Sequence, residues 1–125
     1  MSRCASSRSR RGSAAVEFAL IGTIFLSCMF AVIDLSRYVA SRTALRAAAG
    51  EVIRAAVTDT ALAGCTAPKT LAAAGAPVLQ AALLNVCVVR GTDTVRVDAD
   101  YTFTFVIPVF SRTPRILRAT VTSPL

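Results

Sequence analysis

Four sets of residues in this chain carry groups suited to chemistry. Glu17 is a lone carboxylate near the start of an apolar run, and Asp98 and Asp100 form a close acidic pair. Cys4, Cys28, Cys65 and Cys87 are the thiols, and Arg3, Arg8, Arg10 and Arg11 crowd the N-terminus without an acid among them. The chain has no His, which removes Ser-His-Asp and Cys-His nucleophilic catalysis and every His-containing zinc site. It also lacks a Gly-rich phosphate loop, an EF-hand pattern and paired CxxC motifs. Asp98 and Asp100, two apart on an expected strand, share its solvent face. Solubility is the simpler role for them, with weak divalent-ion binding as the alternative. No catalytic constellation emerges, so the chain is read as a non-enzyme without a cofactor.

These groups must be positioned by elements that the composition already constrains. At 125 residues the chain is one domain by length, and 54% hydrophobic content excludes a disordered protein. The net charge of +7 misleads, because the four leader arginines supply more than half of it. Residues 1–12 are a basic, Ser- and Arg-rich leader. Then Ala14 to Ile33 runs for twenty residues with Glu17 as its single charge, roughly 30 Å as a helix and enough to cross a bilayer core. The basic flank favours a cytoplasmic N-terminus by the positive-inside rule, against Arg37, Arg42 and Arg46 on the far side. A secretory signal peptide is the rival, but its apolar region would be shorter, at about 7–15 residues. No clean A-x-A site follows Ile33 before the next periodic segment. Arg112, Arg115 and Arg118 lie beside apolar strands and fit a solvated edge better than a nucleic-acid patch.

The apolar run has a small-residue stripe: Ala15, Ala19, Thr23, Ser27 and Ala31 recur every four residues, with Gly22 on nearly the same side. Such a stripe lets a second helix approach closely in lipid, although Ala is abundant throughout this chain. Helical periodicity continues past the membrane through Leu35, Val39, Leu45, Val52, Ile53 and Ala56. One helix from Ala14 to about Thr58 is predicted, on the order of 65–70 Å long. Residues 13–33 form its transmembrane half and 34–59 an amphipathic half that must bury its stripe against the rest of the chain.

Residues 60–125 are expected to form a small extracytoplasmic α+β domain. Ala61 to Pro68 is a loop by its Gly and Pro, and Thr70 caps a short turn at Leu71 to Ala74. Gly75 breaks that turn, and Pro77 starts a second helix to about Val86, with Val78, Leu79, Ala82, Leu83 and Val86 on one face. Val86 to Arg90 is β-rich and Gly91 to Asp93 turns. From Val95 the odd-numbered residues to Val109 are apolar, among them Tyr101, Phe103, Phe105 and Ile107, while Arg96, Asp98, Asp100, Thr102 and Thr104 alternate with them. Pro108 weakens the ladder or marks an edge. Ile116 to Thr122 returns. An antiparallel sheet of two to three strands packed on the amphipathic helix half is the expected α+β architecture.

So small a domain has a meagre core. Cys4 falls in the leader and Cys28 in the membrane, which leaves Cys65 and Cys87. In an oxidising periplasm they close a loop worth about 3 kcal/mol; two buried free thiols are the alternative.

The junction reads Arg10-Arg11-Gly12-Ser13-Ala14-Ala15-Val16-Glu17-Phe18. It resembles the type IV prepilin processing site, where a membrane aspartyl peptidase cuts after Gly and Glu becomes the fifth mature residue. The phrase AAVEFAL, with its Glu17-Phe18 pair, is similar to the TadE/TadG-like family of the tight-adherence (Flp) pilus system. So is Phe30 to Arg37, which resembles that family's F-G-I-I-E-L-G-R segment. Here Ala31 and Ser36 replace its glycines and Asp34 its Glu. Thr23 stands where relatives often have Pro, so the kink that Pro gives them is not expected. The resemblance covers roughly Arg10 to Arg54.

That resemblance implies a minor pseudopilin whose processing site is Gly12-Ser13. Its partners would be a prepilin peptidase, other pilin-like or TadE/TadG-like subunits, the inner-membrane secretion platform and membrane lipid. It implies a single pass through the bacterial inner membrane, with the C-terminal domain periplasmic. Small side chains at Gly12-Ser13 suit a flexible scissile bond. Cutting would remove the leader and leave an α-amino group on Ser13, one helical turn from Glu17. A carboxylate in lipid seeks a partner, and a neighbouring subunit's amine would set axial register; an acid snorkelling into headgroups is the plainer account. Two rivals stand beside this reading. One is an unprocessed single-pass, membrane-anchored periplasmic accessory or binding domain, and the other a secreted disulfide domain with an unusual signal peptide.

Overall fold

The computed structural model describes residues 9–106 and 113–125, with side chains from Gly12 onward. Its first element, α1 (Ser9–Thr58), is an unbroken helix of 50 residues. No proline falls within it, so nothing removes a backbone donor or kinks the axis. The predicted end at Thr58 is met, and Asp59 closes the helix by donating its N–H to Ala55 O at 2.8 Å. The start is earlier than expected, because α1 takes in the last residues of the basic leader, and the Gly12-Ser13 bond is helical. The remaining leader residues, with Arg3, Cys4 and Arg8, lie outside the described residues, as do Ile107, Pro108, Val109 and Arg112.

After α1 come α2 (Thr66–Gly75), a single 3₁₀ turn at Ala81–Leu83, and the strands β1 (Leu84–Arg90), β2 (Thr94–Phe103) and β3 (Arg115–Pro124). The strands form one antiparallel sheet in the order β1-β2-β3, the α+β, pilin-like arrangement predicted. Val97 pairs with Val88 on one side and Val121 on the other. The expected alternation holds along β2, where Val95, Val97, Ala99, Tyr101 and Phe103 are all buried. β2 ends at Phe103, short of the predicted Val109.

The core lies between α1 and the inner face of the sheet. Leu45, Ala48, Ala49, Val52, Ile53 and Ala56 meet Val86, Val95, Val97 and Ala99. Three alanines on the helix face allow the backbone to approach the sheet closely, so valines suffice to fill the space. The buried face differs from the expected one at its membrane end. Leu35 and Val39 are exposed, while Asp34 and Ser41 are buried and Tyr38 is half-buried. Asp34, Tyr38, Ser41, Leu45, Ala48 and Val52 recur at spacings of three or four. The helix therefore presents one continuous stripe to the sheet, and Leu35 and Val39 fall off it.

Two expectations for the middle of the chain are corrected. Ala61 to Pro68 is not all loop: α2 begins at Thr66, with Cys65 as its N-cap. Pro68 sits buried in the first turn, where no backbone donor is needed. Thr70 is no cap, because its hydroxyl donates to Ala67 O inside the helix at 2.8 Å. The helix predicted from Pro77 to Val86 does not form. Leu84, Val86 and Val88 are buried in alternation, a period of two hidden inside the same apolar segment. Pairing with β2 satisfies their backbone as well as their side chains, whereas Val78 and Leu83 are left exposed.

Hydrogen bonds at Val88 and Arg90 fasten β1 to the rest. Gly64, at φ 87°, makes an isolated bridge to Val88, with bonds of 3.1 and 2.8 Å in the two directions. That left-handed conformation suits Gly, and the bridge covers the outer edge of β1. Arg90, the last residue of β1, donates through Nη2 to Ala56 O, and at 3.0 Å to Asp59 O. A cation on the last carbonyls of a helix satisfies orphan acceptors and complements the dipole. Its Nε is buried without a hydrogen-bond partner among the described residues, which offsets part of the gain. Arg90→Met should therefore lower stability by about 1–2 kcal/mol, read from the urea midpoint of the full chain in detergent. A change within about 0.5 kcal/mol, the ordinary range for a surface substitution, would show that the cap contributes nothing.

Candidate functional site

Gly12, Ser13, Glu17 and Phe18 lie on α1 and pack against no other element among the described residues. Gly12, Ser13 and Glu17 are exposed, and Phe18 is 80% exposed. Ser13 and Glu17 are four apart, so they stack on one face of the helix. A terminal amine at Ser13 and the carboxylate at Glu17 would occupy adjacent turns.

The small-residue stripe is equally uncovered. Ala15, Ala19, Thr23 and Ser27 are exposed, and Gly22 and Ala31 only partly shielded. An added Cβ at Gly22 would meet nothing. The two hydroxyls are satisfied within the helix: Thr23 Oγ1 donates to Ala19 O at 2.7 Å, and Ser27 Oγ to Thr23 O at 2.8 Å. Neither would take an unbonded donor into an apolar medium. The apolar 12–33 segment is thus a fully solvent-facing helix, with Leu20, Ile21, Ile24, Phe25 and Met29 all exposed. No core helix of a water-soluble domain would be left so.

Two of the thiols pair as expected, and Cys4 lies outside the described residues. Cys65 and Cys87 are joined by a disulfide, and Cys28 is an exposed free thiol on the apolar segment. The bridge pins the start of α2 to β1 beside the Gly64–Val88 pair. On the outer face of the sheet the acids are paired. Asp98 accepts from Thr120 Oγ1 at 2.9 Å and pairs with Arg96 at 3.0 Å, while Asp100 pairs with Arg118 across β2 and β3 at 2.8 Å. The Thr120 bond holds the Asp98 carboxyl below the ordinary carboxylate range against an opposing desolvation, and the Arg96 bond and charge and the Arg118 charge each add a smaller lowering. Asp100 in turn raises Arg118. No group of three or more metal-ligating side chains comes together among the described residues.

A second polar centre was not foreseen. Asp34, known from the sequence only as an acid standing for a family Glu, is 1% exposed at the point where α1 leaves its apolar run. Arg37 lies 3.5 Å from its Oδ1, and Val106 N–H donates to the same oxygen at 3.3 Å. Tyr38, Phe103 and Phe105 cluster beside it, with ring centroids 5.1 to 6.1 Å apart, and the Arg37 guanidinium lies over Phe103 at 5.9 Å. The Asp34/Arg37 spacing of three on a helix was the available signal. The strand end that buries the acid comes from seventy residues further along.

The geometry thus separates an uncovered apolar helix from a small folded body, with Asp34 at the joint. Residues 12–54 match the TadE-like protein family. The TadE-like segment begins at Gly12 itself and takes in the apolar run, the Asp34 joint and most of the helix face that packs on the sheet. It fits, together with the exposed apolar helix, a pilin-like membrane-anchored protein. No curated protein and no solved structure matches the chain.

Proposed function

We propose that this chain is a TadE-like minor pseudopilin, cut after Gly12 by a prepilin peptidase and contributing to assembly of a Flp-type pilus. The observation that carries the reading is the TadE-like match starting at Gly12, on a helix whose apolar part is covered by nothing among the described residues. In this reading residues 1–12 are the leader and 13–33 cross the inner membrane. Residues 34–59 continue the helix, and 60–125 form the periplasmic domain. The Cys65–Cys87 bridge supports that placement, since disulfides persist in oxidising compartments. The protein acts by packing and not as an enzyme. Its partners are the peptidase, other pilin-like or TadE/TadG-like subunits, the secretion platform and lipid.

The chemistry follows from the residues at the junction. A peptidase must unwind a helical bond before it can cut, and Gly is the residue that favours the helix least apart from Pro, by about 1 kcal/mol relative to Ala. Gly12 therefore lowers the work of presenting the Gly12-Ser13 bond near the helix end. Cleavage removes the leader arginines, which would otherwise hold the N-terminus to the anionic cytoplasmic surface. It also leaves an ammonium on Ser13 one turn from Glu17, placed to pair with the acid of a neighbouring subunit. The stripe from Ala15 to Ala31 is the face on which that neighbour packs.

Intact-mass measurement of chain extracted from membranes that hold an active prepilin peptidase tests this directly. The expected product begins at Ser13. Recovery of uncut chain alone would leave the unprocessed anchor as the correct account, and a product beginning beyond Ile33 would indicate a signal peptide.

A further inference from the structure

The end of the sheet nearest the apolar helix has properties that subunit assembly does not use. Asp34 directly follows the apolar run, and Tyr38 lies one turn on, about 6 Å further along the axis. Each polar interfacial layer of a bilayer is about 5–7 Å thick. With Ala14–Ile33 filling the hydrocarbon, the turn from Asp34 to Tyr38 spans that layer. β2 runs toward this level, antiparallel to the helix, because Arg90 beside it is fastened to Ala56 at the far end while Phe103 reaches Tyr38. The Phe105 ring stacks on Tyr38, and Val106 is held to Asp34. The strand end is therefore fixed at interfacial depth by contacts to the helix itself.

What it exposes there suits that depth. Val106 is 69% and Ile116 67% exposed, and Ile116 pairs with Thr102 at the same end of the sheet. The cations Arg37 and Arg115 are exposed at this end, whereas the acid, Asp34, is buried and paired. The exposed acids Asp59 and Asp93 lie at the opposite end.

We propose that this end of the sheet is a second membrane contact, seated on the lipid surface beside the helix. Val106 and Ile116 enter the boundary between headgroups and acyl chains, Tyr38 takes the interfacial position usual for its amphipathic ring, and Arg37 and Arg115 reach lipid phosphates. The folded body then rests on the bilayer instead of standing away from it, which fixes its tilt relative to the helix. The inference rests on the membrane-anchor reading, so its test carries a separate control for that reading.

The chain has no Trp, so single Trp reporters are unambiguous. Full chain carrying Phe25→Trp, Val106→Trp, Ile116→Trp or Val89→Trp is reconstituted into vesicles of phosphatidylcholine and phosphatidylglycerol. The lipids are brominated either deep in the acyl chains or close to the glycerol. Phe25→Trp should be quenched by the deep bromines. Val106→Trp and Ile116→Trp should each lose roughly half of their emission to the shallow ones, as interfacial rings do. Val89→Trp, at the far end of the sheet, should stay bright. Emission at either seat position as bright as Val89→Trp, with Phe25→Trp quenched, overturns the seat and leaves the anchor standing. An unquenched Phe25→Trp overturns both.

Discussion

Removing the bridge with Cys65→Ala and Cys87→Ala should lower the stability of the folded part by about 3 kcal/mol. The cysteines are 22 residues apart, and the cross-link restricts the unfolded chain over that loop. Its effect in the folded state is local to the edge of the sheet. Pro68, Ala72, Ala76 and Leu79 are the buried residues between Cys65 and the start of β1, and two of them are alanines with little apolar area to contribute. Two backbone bonds between Gly64 and Val88 hold the start of this segment to β1 beside the bridge. Without the bridge α2 should open before the β2–β3 pairing, since segments with few buried contacts open at lower free energy. Urea titration of full chain in detergent, followed by circular dichroism, reads the loss as a lower midpoint. Cys28→Ser is the control and should leave the midpoint unmoved, because Cys28 is exposed on the apolar segment. A midpoint for the double alanine chain equal to that control would show that packing alone holds α2.

The parts of this fold legible in the sequence are those with one dominant period over a long window. The helix ending at Thr58 and the odd-numbered burial along β2 both follow from patterns that no competing period disturbs. Between Pro77 and Arg90 two patterns overlap. Val78, Leu79, Ala82, Leu83 and Val86 match a helical face, and Leu84, Val86 and Val88 match a strand. The tie is broken by β2, whose backbone offers partners to a strand and none to a helix. Leu35 and Val39 mislead for a related reason. The inward side of an amphipathic helix at its boundary is set by where the sheet ends, and Phe103, Phe105 and Val106 choose the side of Asp34 and Tyr38.

The candidate site divides the same way. The Gly12 to Phe18 junction is legible because its signal is local: an abrupt change of composition with one carboxylate in it. The structure adds that nothing among the described residues covers this face. Arg90 and Asp34 were not legible, since each owes its role to a partner more than thirty residues away.

Glu17→Gln should leave cleavage intact and weaken subunit association on the order of tenfold. The estimate follows from the difference between a charge-assisted hydrogen bond, about 1.5–3 kcal/mol, and a neutral one, about 0.5–1.5 kcal/mol, with about 1.4 kcal/mol for each factor of ten. Gln keeps the shape and one acceptor, so the loss isolates the charge. If the partner is the ammonium that cleavage creates on Ser13, a chain that cannot be cut should show the same deficit. Gly12→Leu supplies that chain, since a bulky residue replaces the smallest one at the bond and also strengthens the helix there, by about 1 kcal/mol. The double variant should then associate no more weakly than Gly12→Leu alone, because a coupling absent in one background cannot be lost again. Co-purification of tagged with untagged chain from the same membranes reads all four corners of this cycle. A further tenfold loss in the uncut background would mean that Glu17 answers to some other group. Full association of cleaved Glu17→Gln chain would mean that the acid merely reaches the headgroups, and that register is set by the small-residue stripe alone.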